Sequence, residues 1–323
     1  MRGADFMSVM KTCRAVLLAP LLRCRFARKL LAAYLYRKWI AHSEAVVAAR
    51  RQEETLNEAY WMGRLREYAH IVDKGLHRGD FSKGRGVRAY EGAKTALSHV
   101  RSREGLDDPS VVWATSRIRL YEKIQSNGST RLDPPLIVTR CRYDDLLDAI
   151  KTRRSIRRYL DRPVEDSVVE RIVEVLDWSP TSCNRQPGHV YATNQADIVR
   201  RCVQVHGGAA CFTEIVAPLF LTFCADPTVY DMPAEVAMPY IDVALGVENC
   251  VLAAHCLGVS LTLLTWALHS DREDRELRRI LGIPPHLQII VSAVGGYPSG
   301  GAETPGRKNK QLHIVKQAEA ISR

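Results

Sequence analysis

The sequence has no apolar stretch long enough to cross a membrane. The apolar run of its N-terminal region, Ala15 to Leu22, is interrupted by Pro20, whereas a spanning helix needs about 20 apolar residues. Basic residues continue through this region and no small-residue cleavage site follows, so we do not expect a secretory signal peptide. These absences favour a cytoplasmic location, with attachment to the periphery of a membrane as the alternative.

Several familiar catalytic and ligand-binding patterns are also missing. The nine cysteines are scattered, without CxxC or Cys/His ligand spacing, so we expect reduced thiols and no metal site. No Walker or Gly-x-Gly-x-x-Gly sequence occurs, and Ser155 and Ser182 lack the Gly-x-Ser-x-Gly setting of a hydrolase nucleophile. His255, within an apolar run, is interpreted as a core histidine. No catalytic side chain is therefore assigned.

Positive charge is concentrated near the N-terminus. The formal net charge is +10, and the first 51 residues hold eleven Lys or Arg residues against only Asp5 and Glu44. Apolar residues at spacings of three and four between Leu17 and Leu35 predict an amphipathic basic helix there. We expect that helix to pack on its own protein or on a second copy. An anionic membrane surface and nucleic acid are the alternative partners.

The pattern divides the chain into two parts. Residues 1–130 are interpreted as a helical, basic N-terminal extension that includes a helix from Ala89 to Val100, and the turn-prone segment Gln125 to Pro135 is the candidate linker. Residues 135–323 alternate between helical and β-rich segments. In that second part the predicted strands are His189–Thr193, Pro218–Cys224 and Leu287–Val294, and the predicted helices are Tyr143–Lys151, Val164–Asp177 and Asp242–Gly258. The last helix is apolar enough to be predicted as buried.

Two short segments carry residue types suited to binding. Arg153 to Arg158 reads Arg-Arg-Ser-Ile-Arg-Arg, and guanidinium groups together with a hydroxyl suit a phosphate. Ser179 to Pro187 follows a predicted helix and presents hydroxyls and two amides, which can grip a heterocycle edge or a polyol. Alone, the first is equally a solvated basic turn and the second an ordinary turn-rich connection.

Taken in order, these segments resemble the nitroreductase family. Its pattern continues here through Pro163-Val164, Pro180 to Pro187, and the apolar helix that ends at Gly258. Leu281-Gly-Ile-Pro284 with the strand that follows it, and the basic segment from Arg307 to Val315, resemble the last core strand and the C-terminal segment of that family. The resemblance spans more than half of the chain.

The resemblance implies an FMN site shared between two subunits. Arg153 and Ser155 would hold the phosphate and ribityl end, and Arg154 would lie close to them with the isoalloxazine edge nearby. Arg157 would reach the pyrimidine side of the ring. The same flavin would be approached from the other subunit by five loop residues: Pro180, Thr181, Ser182, Asn184 and Gln186. Near flavin N5 the matching stretch is Leu264, Thr265 and Trp266, and Arg307 or Lys308 would add a phosphate contact.

The implied fold is α+β: a mixed, mainly antiparallel sheet flanked by helices, dimerised through the buried helix, with a helical N-terminal extension. The implied function is an FMN-dependent oxidoreductase in which the flavin carries the chemistry. Hydride from NADH or NADPH would pass through N5 to a small acceptor such as a nitroaromatic, quinone or enone. The alternative is a non-catalytic flavin-binding or scaffold protein that acts through its basic N-terminal region.

Two departures from the family pattern concern access to the site. Trp266 stands where family members carry a glycine, and it would either stack on the ring or fill the core. The interval between Gln186 and Asp242 is short, and two strands with one loop are expected there in place of the helices that wall the family's pocket. The N-terminal extension could supply that wall.

Overall fold

The computed structural model describes residues 58–78, 81, 83–101, 107–127, 136–206, 216–232, 235–266, 269–308 and 312–314, together with Phe26 and Lys29. The predicted basic helix between Leu17 and Leu35, residues 128–135 of the candidate linker and the end of the basic segment at Val315 therefore lie outside the described residues. The first three linker residues, 125–127, are helical, so the linker was predicted to begin too early. No helix among the described residues is both long enough and apolar enough to cross a membrane.

Three helices form a small bundle in the N-terminal part of the described chain: α1 (Glu58–Leu76), α2 (Val87–Arg101) and α3 (Pro109–Asn127). Alanines at the contact, including Ala69, Ala93, Ala96 and Ala114, are fully buried, and their small side chains let the helix backbones approach closely. The predicted helix Ala89–Val100 is confirmed as part of α2. Helix α3 was not predicted.

A four-stranded antiparallel sheet is the centre of the second part, in the order β1-β2-β4-β3. Its strands are β1 (Gly188–Thr193), β2 (Leu219–Ala225), β3 (Ser260–Thr265) and β4 (Gln288–Gly296). The three predicted strands are confirmed as β1, β2 and β4, and β3 was not predicted. Every strand pair among the described residues is antiparallel.

Helices cover both faces of this sheet, and the alternation along β2 shows why. Leu219, Leu221 and Phe223 pack against α5 (Asp166–Glu174) and α7 (Met238–Cys256). Phe220 and Cys224 point to the opposite face, towards α6 (Ala196–Val205) and α8 (Asp271–Leu281). All seven β2 residues are buried, as expected for a central strand covered on both sides. Helix α4 (Tyr143–Thr152) contacts α7 and leads into the arginine segment.

Three expectations are corrected in detail. The helix predicted from Val164 to Asp177 is α-helical only as α5 and continues as the 3-10 turn Val175–Trp178. The interval between Gln186 and Asp242 contains α6 in addition to two strands, so the expectation of only strands and a loop is wrong. Helix α7 is not buried all round, because Ile241 and Leu245 are 49% and 45% exposed in the single chain.

Candidate functional site

The arginine segment lies against the start of β3. Ser260 Oγ donates to the carbonyl of Arg154 at 3.0 Å, and the Ile156 N–H reaches the same hydroxyl at 3.3 Å. Thr262 Oγ1 donates to the carbonyl of Ile156 at 2.7 Å. The segment therefore runs along the edge strand, held by two hydroxyls, while Arg153 and Ser155 remain half-buried and Arg157 exposed.

A cavity of about 540 Å³ opens beside this segment, at the C-terminal end of α7. Its wall includes Thr152, Arg154, His255 and Ser260, and glycines contribute to its rim. Gly258 has a φ of +76°, which favours glycine at this helix end. The volume falls within the roughly 300–1,000 Å³ of small-molecule sites. Arg154 lines it, whereas Arg153 and Ser155, the residues predicted to hold the phosphate, do not.

The C-terminal segment approaches the same place. Arg154 Nη2 donates to Thr304 Oγ1 at 2.6 Å, and Gly300, Gly301 and Ala302 line the cavity. Arg307 and Lys308 follow three and four residues later and are exposed. The structure thus brings residues 300–304 next to Arg154, and the contact of Arg307 or Lys308 with a phosphate stays a prediction.

His255 is not enclosed in the core. Its Nε2 lies 2.9 Å from Thr152 Oγ1 and its side chain faces the cavity, so the interpretation as a core histidine is corrected.

The polar loop of residues 180–187 lies at the other end of α7. Ser182 donates through both its backbone N–H, at 3.0 Å, and its hydroxyl, at 2.9 Å, to Oδ1 of Asp242. Tyr230 donates to the second carboxylate oxygen of Asp242 at 2.8 Å. Burial, followed by the negative charge of Asp242, raises the pKa of the Tyr230 phenol, which keeps it a hydrogen-bond donor.

Backbone strain is concentrated in this loop. Cys183, Asn184 and Gln186 have φ values of 53°, 57° and 51°, and they are the only non-glycine residues with positive φ among the described residues. Each such residue costs about 1–3 kcal/mol and persists only where its surroundings fix it. Hydrogen bonds inside the loop contribute: the Gln186 N–H donates to Thr181 Oγ1 at 3.1 Å, and Gln186 Nε2 donates to Asn184 Oδ1 at 3.1 Å.

Arg185, which the sequence analysis gave no role, is the most buried polar residue of the loop. Only 3% of its side chain is exposed, and its guanidinium pairs with Glu67 at 2.8 Å and Glu235 at 2.9 Å. Burial alone would raise the pKa of Glu235, but the backbone N–H groups of Met232 and Asp231 and the Arg185 charge outweigh it and hold that pKa below its ordinary value. The pair is therefore ionised at neutral pH.

The N-terminal bundle contributes to the same network. Glu67 of α1 also pairs with Arg64 at 2.6 Å, and Arg64 donates to the Val229 carbonyl at 2.6 Å and pairs with Asp231 at 3.2 Å. No sequence pattern pointed to the contact of Glu67 with Arg185 or to that of Arg64 with Val229, which join residues 118 and 165 positions apart. Asp242 carried a detectable signal, because a carboxylate inside an apolar helix needs a partner.

The residues predicted near flavin N5 lie at the end of β3: Leu264 and Thr265 are its last two residues, and Trp266 follows it. Leu264 and Trp266 are 4% and 6% exposed and pack in the core beneath α6 and α8. The Trp266 ring stacks on His269 with centroids 4.0 Å apart. Thr265 is exposed. In the single chain Trp266 therefore fills the core, one of the two roles considered for it.

Titratable groups elsewhere do not form a competing site. Burial raises the pKa values of the Cys202, Cys224 and Cys250 thiols to about 12, so these thiols are unreactive, and none of the described cysteines is in a disulfide. Within the described part of the chain no group of His, Cys, Asp and Glu residues could hold a metal ion. The site is thus a basic segment and a strained polar loop at opposite ends of one helix, on an α+β scaffold.

Comparison with known proteins agrees with this architecture. The family model described as "Nitroreductase family" matches residues 150–206. A Methanothermobacter thermautotrophicus protein, provisionally named NADH dehydrogenase/NAD(P)H nitroreductase, is 30% identical over 178 residues, covering 53% of this chain and 87% of that protein. A protein of the same provisional name from Archaeoglobus fulgidus is 31% identical over 159 residues, covering 48% of this chain and 86% of that protein.

Similarity extends to an FMN reductase [NAD(P)H] of Bacillus subtilis, 24% identical over 168 residues, 48% of this chain and 67% of that protein. Among solved structures, an FMN-dependent nitroreductase from Clostridium difficile has a TM-score of 0.46 and 21% identity, covering 52% of this chain and 98% of that one. The family model and the archaeal relatives establish the identity: the chain belongs to the nitroreductase family.

Proposed function

We propose that the chain is an FMN-dependent NAD(P)H oxidoreductase that works as a homodimer. The observation that carries the proposal is the placement of an arginine segment beside a cavity of about 540 Å³ in a member of this family. The FMN reductase and the archaeal relatives act with NAD(P)H according to their names, which supports the same reductant here.

The residues present fit a phosphorylated cofactor. Arg153, Arg154 and Ser155 directly follow α4 and supply two guanidinium groups and a hydroxyl, and Arg154 contacts Thr304, three residues before the exposed Arg307 and Lys308. A Cβ added at Gly301 would meet nothing within 4 Å, so the cavity rim leaves room for a ligand. Arginine forks and hydroxyls together suit a phosphate and a polyol chain.

Helix α7 explains why a second copy is needed. Asp242 holds the polar loop near its start, whereas His255 lies at the cavity near its end, and 13 helical residues span about 20 Å. One chain thus keeps its arginine segment and its polar loop apart. If α7 packs antiparallel on its copy, the start of one helix meets the end of the other, and each site takes its arginine segment and its loop from different subunits.

The exposed apolar surface of α4 and α7 suits this pairing. Ile241 and Leu245 on α7, and Leu146 and Ile150 on α4, are each between 45% and 49% exposed, and α4 contacts α7. A two-fold interface uses the same patch from both copies. Burying these side chains removes apolar surface from water, which at about 25 cal/mol per Å² favours association.

The residues then have distinct tasks. When bound, FMN would carry hydride from NADH or NADPH to an acceptor in a ping-pong cycle. Arg153 and Ser155 would bind the phosphate and ribityl end with Arg154 close to them, and Arg157 would supply positive charge that stabilises the anionic reduced flavin. Thr181, Ser182, Asn184 and Gln186, with Pro180, would hold the ring from the other subunit. At the end of β3, Thr265 is the exposed residue of the stretch Leu264–Trp266 that would contact the flavin. The acceptor class proposed is a nitroaromatic, quinone or enone.

The location and domain division are part of the same proposal. Buried free thiols suit the reducing cytoplasm, and residues 1–130 form an extension to a catalytic unit of residues 135–323.

An anaerobic absorbance titration tests the proposal. The purified protein, supplied with FMN and freed of excess, should show the flavin band, and NADH or NADPH should bleach it. Reoxidation by a quinone or a nitroaromatic should restore the band. A protein that binds flavin but is not bleached would instead be the non-catalytic flavin-binding alternative, and a protein that retains no FMN would contradict the proposal.

A further inference from the structure

Residues 181–187 of the polar loop, which include the three strained residues, are held by contacts on two sides. On one side the catalytic unit itself supplies Asp242, which accepts two hydrogen bonds from Ser182. On the other side the contacts come from α1, far away in sequence. Glu67 pairs with Arg185 at 2.8 Å, and Arg66 Nη1 donates to the Arg185 carbonyl at 3.4 Å.

Both anchors from α1 converge on the part of the loop where the backbone is strained. Arg185 stands between Asn184 and Gln186, whose φ values are positive. Left-handed backbone at such residues reverts to ordinary conformations unless neighbouring contacts hold it. Fixing both the guanidinium and the carbonyl of Arg185 restricts the peptide units on each side of it, and these carry Asn184 and Gln186.

The network is rigid enough for this task because it is buried and charged. The side chains of Arg64, Glu67 and Arg185 are 4%, 13% and 3% exposed. Removing one partner of such a pair leaves the other charge buried without compensation. Gly63 lets α1 approach closely, since a Cβ there would lie 2.8 Å from Val229 Cβ. Helix α1 is therefore seated on the catalytic unit with little freedom to shift.

We propose that Glu67, from the N-terminal helical region, is a positioning residue of the flavin site: through Arg185 it holds loop 181–187 in the conformation that presents Asn184 and Gln186 to the cofactor. This inference rests on the proposed FMN function of the loop. It gives the N-terminal region a defined task, which is to pre-organise a binding loop and not to wall the pocket.

The test compares the full-length protein with Glu67→Gln, an isosteric change that removes the charge. The matched control is Glu276→Gln, which removes a glutamate paired with Arg279 on the exposed surface of α8. The apparent Kd for FMN rises as the fraction of protein whose loop has the binding-competent conformation falls. We expect Glu67→Gln to raise the FMN Kd about tenfold, and Glu276→Gln to leave it unchanged.

Hydrogen exchange of the flavin-free proteins provides a readout that does not depend on FMN. In Glu67→Gln the amides of residues 181–186 should exchange faster than in the wild type, while those of β2 keep their wild-type rate. Equal acceleration in both segments would mean general destabilisation and would overturn the proposal, as would unchanged exchange in the loop. If Glu67→Gln does not fold, Arg185→Lys, which keeps the charge but loses the fork, should show the same loop-specific acceleration.

The two proposals can fail separately. A wild-type protein that binds no FMN would remove the proposed function, but the exchange comparison would still show whether Glu67 fixes the loop. A wild-type protein that binds FMN with the same Kd as Glu67→Gln would leave the proposed function standing and overturn the positioning role.

Discussion

Gly63 shows how a single position on α1 determines whether the two parts of the chain fit together. An added Cβ would lie 2.8 Å from Val229 Cβ and 2.9 Å from Val229 Cα, and neither a backbone atom nor a β-carbon can swing away as a flexible side-chain end can. In an unobstructed helix interior alanine is more stable than glycine by roughly 0.5–1 kcal/mol. Whether Gly63→Ala stabilises or destabilises the protein therefore shows whether α1 contacts Val229.

We predict that Gly63→Ala lowers the free energy of unfolding by about 1–3 kcal/mol, the usual cost of overpacking. Urea denaturation measures the change. Gly301→Ala is the control, because a Cβ there meets nothing within 4 Å, and it should alter stability little. A stabilised Gly63→Ala protein would mean that α1 does not rest on Val229.

The ion pair between Glu235 and Arg185 should make stability depend on pH. The pKa of Glu235 lies below its ordinary value, so its contribution is present above about pH 4.3, the unfolded-state pKa, and fades as pH falls through the lower folded-state pKa. We predict that wild type exceeds Glu235→Gln in unfolding free energy at neutral pH and that the difference shrinks in acid. A difference independent of pH would refute this role for the carboxylate.

Sequence could suggest candidate binding residues only where they form local motifs. The segment Arg153 to Arg157 and the loop from Pro180 to Pro187 are contiguous, so their composition and order could be recognised. Glu67 and Arg185 are 118 positions apart, and neither residue type nor spacing relates them. Their pairing follows from how the bundle packs on the sheet domain, which no local pattern encodes.

At the scale of elements, helix α8 and strand β3 were not predicted, and the two differ in how clear their sequence signals are. Helix α8 begins with Ser270 and Glu273 in a capping box and ends at Gly282 with φ 69°, which are recognisable start and stop signals. Strand β3 had weaker evidence, because Leu261 to Leu264 directly follows an apolar helix and a short apolar run is ambiguous between helix and strand. Strands β1, β2 and β4 were predicted because turn-forming residues bound them.

The capping box of α8 gives a further prediction. Ser270 Oγ accepts from the Glu273 N–H at 3.3 Å, and Glu273 accepts from the Ser270 N–H at 2.6 Å. Ser270→Ala should cost about 1 kcal/mol of stability, measured by urea denaturation, without changing FMN affinity. Ser98→Ala is a suitable control, since Ser98 is exposed and its hydroxyl donates to the Thr95 carbonyl within α2. An unchanged unfolding midpoint for Ser270→Ala would show that the cap is not stabilising.

The exposed side of α7 gives a testable prediction about the oligomeric state. Leu245 is 45% exposed in the single chain, and in the proposed dimer it is buried against the copy. Leu245→Glu should convert the protein to a monomer in analytical ultracentrifugation and release FMN, because a charge buried without a partner strongly disfavours the interface. Val112→Glu, at an exposed position of α3, should remain dimeric. A Leu245→Glu dimer would place the interface elsewhere.

At the scale of the whole molecule, the fold accounts for the division of labour between two copies that we propose. The sheet and α7 hold the arginine segment and the polar loop rigidly but at opposite helix ends, and the N-terminal bundle fixes the loop from outside. The fold class could be predicted because its strands and apolar helix have clear periodicity and its motifs occur in family order. How the bundle packs against the loop could not be predicted, since it depends on long-range packing.

Complementation between two defective chains tests the shared site most directly. One chain carries Arg153→Ala and Ser155→Ala, and the other carries Asn184→Ala and Gln186→Ala. Each expressed alone should retain little FMN. Refolded together, they should form mixed dimers with one intact site each, which restores about one quarter of all sites for random pairing of equal amounts. FMN bound by the mixture at no more than the mean of the separate proteins would contradict a site built from two subunits.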